Sequence, residues 1–208
     1  MMTNNDFDRQ VDRLIQKGYP AMMDLSEEEF RNQLMPLKSK AKELERSGGT
    51  KEGNIPYVIV IRSERVDGEK AMQLVERKNQ NGFSVMDAED IQRFKPIEGI
   101  ELPDGMAYMI TDIDTGKETR NVTPNEAIKT IINDSRSPLT LEEGIAVVTH
   151  FPDLLMKNNG FSLLGSRCGD RRVTALWISA GKPKLGWCWA GNPHTWLGSA
   201  SCCSRVGM

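Results

Sequence analysis

From Phe161 onward the chain reads as short strands separated by glycine-bearing turns. Its strongest local signal is a β-hairpin of Arg172 to Ser179 and Lys184 to Ala190, joined through Ala180-Gly181-Lys182-Pro183. A hairpin there commits the C-terminal segment to a sheet. Further back, Pro56-Tyr57-Val58-Ile59-Val60-Ile61 is rich in β-branched residues and apolar on both faces, the pattern of a buried strand. Met106 to Ile113 reads as another strand, and Asp114-Thr115-Gly116 as a tight turn into a return strand ending near Val122.

Helices fall between and before these strands. Phe7, Val11, Leu14 and Ile15 form one stripe of an amphipathic helix that stops near Gly18-Tyr19-Pro20. Ser26 and Glu29 make a capping box for a second helix with Phe30, Leu34 and Leu37 on its apolar face, which Pro36 should kink or divide. Residues 67 to 78 look helical, Thr123-Pro124-Asn125-Glu126 opens another helix, and Thr140 with Glu143 opens one running towards His150. At His150 a dipole and capping role is expected. Together these elements predict an α+β fold, a mixed or antiparallel sheet with flanking helices. Residues 1–46 form a helical arm packed on the body or reaching a partner, and residues 50–208 a single domain beyond the Ser47-Gly48-Gly49 break.

No apolar run approaches the ~18 residues that span a bilayer. The N-terminus lacks a basic region followed by an apolar one, so a cytoplasmic address with reduced cysteines and no membrane partner is expected. Net charge is −2, but residues 161–208 carry +5 and the remainder −7. A locally positive surface on an acidic body suits a small anion better than a long polyanion, which makes nucleic acid an improbable partner.

All four tryptophans (Trp177, Trp187, Trp189, Trp196), all four cysteines and His194 lie in that positive segment. Trp187 and Trp189 project from one face of a strand, and a hairpin partner could set Trp177 beside them. Such a cluster is more often core than site, because large aromatics dominate core energetics. The loop Gly165 to Arg172 is dense in arginine, and its guanidinium forks match planar anions. The reading that follows is a pocket for a small anionic molecule with a planar or apolar part. In it Arg167, Arg171 and Arg172 hold the anion, Trp187, Trp189 or Trp196 stack on the ligand, and His194 supplies a polar or proton-transferring contact. The flanking glycines would admit close approach of the ligand. No reaction follows from these residues and no cofactor is expected.

Other readings compete. A zinc site from Cys168, Cys188, His194 and Cys202 has the right residue types but no close ligand pair. Asp112 to Gly116 fails the calcium-loop spacing. An interaction protein would use the tryptophans as core and the N-terminal helices to bind a partner or a second copy.

The stretches Gly165-Ser166-Arg167-Cys168-Gly169-Asp170-Arg171-Arg172-Val173, Pro183-Lys184-Leu185-Gly186-Trp187-Cys188-Trp189 and Gly191-Asn192-Pro193-His194-Thr195-Trp196-Leu197-Gly198 resemble the closing segment of a bacterial family of unassigned function. The resemblance runs from about residue 105 to the end and implies no activity, cofactor or catalytic residue.

Overall fold

A computed structural model describes residues 6–48 and 50–208. The two N-terminal stripes form the helices Asp6–Gln16 and Glu27–Ser47, the second opened by the Ser26–Glu29 capping box. Pro36 does not divide that helix, which runs unbroken through it. Phe7, Val11, Leu14, Phe30, Leu34 and Leu37 are buried in the main core, so the arm lays its apolar face on the body.

That core is shared by two sheets. A three-stranded antiparallel sheet has the order Ile55–Ile61, Ala107–Ile113, Ser204–Val206. A five-stranded mixed sheet has the order Leu197–Ser199, Gly160–Leu163, Arg172–Ser179, Lys182–Trp189, Phe83–Ser84, its outer pairs being parallel. The helix Leu141–His150 packs against the Ile55–Ile61 strand and touches the five-stranded sheet. It is opened by the Thr140–Glu143 capping box. On the opposite face of the larger sheet, the helix Pro124–Asn133 sets Ala127 and Ile131 against Val173, Ala175 and Cys188.

Three further local expectations are corrected. The helix expected over residues 67 to 78 is shorter, Gly68–Leu74, and Glu76–Arg77 pairs instead as a short strand with Gln80–Asn81. No return strand follows Ile113: both sides of Ala107–Ile113 are taken, by Ile55–Ile61 and by Ser204–Val206, and the chain turns instead through a 3-10 helix at Lys117–Thr119. The hairpin turn is also tighter than its composition suggested. Ala180 (φ 50°) and Gly181 (φ 79°) alone make it, both left-handed as a type I′ turn requires, and Lys182 and Pro183 belong to the strand.

Candidate functional site

A well-formed concavity lies away from the tryptophans. A cleft of about 530 Å³ opens between the loop after the Ile55–Ile61 strand, the Phe94–Pro96 segment and the start of the Leu141–His150 helix. That volume is in the range of small-molecule sites. Ile91, Phe94 and Leu102 give it an apolar wall, while Arg65 and Lys95 line it as exposed cations with no ion pair among the described residues.

A polar network runs from the lining of the cleft into the core and holds its rim. Glu142 accepts from the Ser63 N–H at 2.9 Å and from the Tyr108 hydroxyl at 2.9 Å, and lies 3.4 Å from Arg62 Nε. The same hydroxyl is 3.1 Å from Glu143, which is fully buried and clasped by Arg205 through Nε at 2.6 Å and Nη2 at 2.8 Å. Arg205 also donates to Ser137 and to the Pro138 carbonyl, tying the C-terminal strand to the foot of the helix. Burial, and then the two carboxylates, push the Tyr108 phenol far above its ordinary value, so it stays a donor. Arg62 spends its remaining donors on the Pro103 carbonyl and Glu64.

The residues singled out from sequence separate into two groups. Strand pairing places Trp177 opposite Lys184, on the face of Gly186 and away from Trp187. There Trp177 meets Trp196 edge-on at 5.8 Å, and His194 lies 5.4 Å from Trp196. His194 Nε2 is buried without a hydrogen-bond partner among the described residues. On the other side Trp187 and Trp189 meet edge-on at 4.8 Å, with Arg171 over Trp189 and Arg172 over Trp187. The expectation that Trp177 joins that pair is therefore wrong.

The arginines differ in what they have left to offer. Arg172 is committed: it grips Asp90 through both terminal nitrogens and Asp170 through Nε, and lies over Phe94 at 5.4 Å. The Arg172 guanidinium holds Asp90 below the usual carboxylate range, and the Arg172 backbone N–H leads in holding Asp170 at about 2. Arg167 binds the Leu164 and Ser166 carbonyls and clamps its own turn. Arg171 makes no ion pair among the described residues, and beside it Trp189 is 43% exposed.

No three His, Cys, Asp or Glu side chains are grouped as metal ligands among the described residues, so Cys168, Cys188, His194 and Cys202 do not assemble a zinc site. The cysteines are free thiols, and burial raises every one of them, Cys202 to about 12, which opposes thiolate chemistry. The dipole role expected of His150 also fails. Burial pushes the imidazole down to about 3, so it is neutral, and Arg13 rather than His150 supplies the cation at the helix end by donating to the His150 carbonyl.

A family model described as a family of unknown function (DUF5701) matches residues 13–208. The chain belongs to that family. The match reaches well beyond the C-terminal motifs and takes in the long N-terminal helix and both walls of the cleft. No curated protein and no solved structure matches. No helix among the described residues is long and apolar enough to cross a membrane.

Sequence reasoning missed the cleft residues Arg62, Arg65, Lys95 and Glu142. The available signal was the run Arg62-Ser63-Glu64-Arg65 directly after a buried strand, where a scaffold end presents charge.

Proposed function

We propose that this protein binds a small anionic molecule with an apolar or planar part, and that the cleft between the Arg62–Asp67 loop and Phe94–Pro96 receives it. The carrying observation is the pairing, in one cleft of about 530 Å³, of two cations that make no ion pair among the described residues (Arg65, Lys95) with an apolar wall (Ile91, Phe94, Leu102), while the carboxylates in the same lining are already paired, Glu64 and Glu142 with Arg62 and Asp67 with Lys70. The start of a ten-residue helix adds its positive dipole end. A cytoplasmic setting belongs to the same reading, since the four cysteines are free thiols.

A second reading keeps the anion at Arg171 with Trp187 and Trp189, and the observation that favours it is the exposed Trp189 indole beside a guanidinium that makes no ion pair among the described residues.

Calorimetric titration with sugar phosphates, nucleotides and dicarboxylates tests both. The cleft reading expects saturable binding by one class, weakened about tenfold or more in Arg65→Ala and in Lys95→Ala. Binding that survives both substitutions but is lost in Arg171→Ala moves the site to the indoles. Absence of binding by every class at millimolar concentration rejects both.

A further inference from the structure

The Ile55–Ile61 strand is an edge strand, and its residues 57 and 59 turn their backbone groups away from Ala107–Ile113. An open edge of this kind needs a cover. Here the cover is a side chain. Gln10 Nε2 donates to the Tyr57 carbonyl at 3.1 Å, and Gln10 Oε1 accepts from the Ile59 N–H at 2.9 Å. One amide group bonding to residues i and i+2 reproduces the ladder of a parallel strand, so the helix Asp6–Gln16 closes the sheet without contributing a strand to it. The next outward group, the Ile59 carbonyl, is 3.1 Å from His150 Nε2.

His150 occupies the seam between this helix and the body. Leu14 and Tyr19 wall the small cavity at its ring on the arm side; Ile59, Ile61, Ile145 and Ala146 wall it on the core side. Its Nδ1 is buried with no hydrogen-bond partner among the described residues. The charged groups facing it are unfavourable to an imidazolium: Arg13, Arg9 and Lys17 all come from the arm and its end. Asp6 is ion-paired to Arg9, and Glu142, at the far end of the histidine's own helix, is engaged by Tyr108, Ser63 and Arg62. Asp153, just past the helix end, lies 3.4 Å from Arg77, so among the described residues a proton on His150 has no unengaged anion to meet while the arm is docked. Lifting the arm hydrates the ring and removes the three cations together.

We propose that the helix Asp6–Gln16 is a proton-released latch on the open edge of the Ile55–Ile61 strand, with His150 as the group whose charging frees it. The inference is independent of what the cleft binds. The sign follows from linkage: the imidazole is held at about 3 when latched and returns to about 6.5 when free. The latched state is therefore fully favoured above about pH 6.5 and progressively disfavoured as pH falls towards 3. Release exposes a sheet edge that already accommodates a parallel neighbour opposite Val58.

Hydrogen exchange on the full chain, corrected for the intrinsic pH dependence of exchange, is the test. Between about pH 6.5 and about pH 4.5 the protection of residues 6–16 is expected to fall roughly 50-fold, while Ala107–Ile113 keeps its protection. Gln10→Ala should loosen the arm at every pH without changing that slope, and His150→Gln should abolish the slope. Should His150→Gln fail to fold, the wild type still decides: charging of the His150 ring, followed by NMR, must coincide with loss of protection at the Ile59 amide. Arm protection that ignores pH, falls equally in the central strand, or keeps its acid slope in His150→Gln overturns the latch. So does an imidazole that charges while the Ile59 amide stays held.

Discussion

Arg172 and Asp90 meet fork to fork, Nη1 to Oδ2 at 2.7 Å and Nη2 to Oδ1 at 2.9 Å, across a sequence separation of 82 residues. This pair fastens the five-stranded sheet to the short helix Ala88–Gln92. It also holds the guanidinium between the rings of Phe94 and Trp187. The geometry is bidentate and both side chains are largely shielded, so the pair should contribute more than an ordinary surface bridge. Arg172→Lys keeps the charge but loses the fork and the stacking. It is expected to cost about 1–2 kcal/mol in urea unfolding and to alter Trp187 emission. An unchanged midpoint would show that Asp170 alone positions the arginine.

Glu143 and Arg205 present the opposite case, a pair removed from solvent. With Glu143 fully buried, removing its partner strands a carboxylate that retains only Tyr108 and the Thr140 N–H. Arg205→Met should therefore destabilise by about 3–5 kcal/mol. The double variant Arg205→Met/Glu143→Leu should recover a substantial part of that loss, because it removes the stranded charge. Chemical denaturation of the parent, Arg205→Met, Glu143→Leu and the double variant provides the double-mutant comparison.

What could be read from the residues alone was whatever short-range chemistry fixes. The capping boxes at Ser26 and Thr140, the buried strand at residues 55–61 and the hairpin at 172–189 each carry their signal within a few neighbouring side chains. The grouping of the tryptophans depended on strand parity. With a two-residue turn Trp177 falls opposite Lys184, and adding one residue would have put it on the face of Trp187. The cleft left still less trace, because Arg65, Lys95, Leu102 and Glu142 belong to four segments brought together only by packing. His150 stood at a helix end as expected, but its burial is a tertiary fact that reverses its charge state.

Asp112 combines strain with charge. It is 7% exposed and sits at φ 49° within a strand, a conformation costly to a residue with a side chain. Burial disfavours its charge, but the Arg136 guanidinium, the Cys203 thiol, the Asn54 amide and the Lys51 N–H outweigh that and hold the carboxyl at about 2. Because the folded value lies below the usual 3.8, its stabilisation is complete above about pH 4 and is lost as pH falls towards 2. Asp112→Asn is expected to lose roughly 2 kcal/mol at neutral pH and to flatten the acid limb of the stability profile. Thermal melts across pH 2 to 7 would show both, and an unaltered acid limb would assign it to other carboxylates.

Gly186 tests whether the glycines beside the tryptophans make room for a ligand or for the protein itself. A Cβ at this position would stand 2.4 Å from Trp177 Cη2 and 3.3 Å from Val85 Cγ2, so the space is already filled by the indole. Gly198 tells the same story, its backbone lying against the Gly116 and Thr115 carbonyls. Gly186→Ala should therefore displace Trp177, which also packs against Trp196 and lies under the Lys184 ammonium at 4.9 Å. A loss of about 1–3 kcal/mol is expected from the overpacking, with a red shift and easier quenching of the Trp177 emission. Trp177→Leu in the same background should relieve the clash and regain stability. A Gly186→Ala protein as stable as the parent, with unchanged emission, would mean that the strand yields there and that the glycine serves some purpose other than seating the indole.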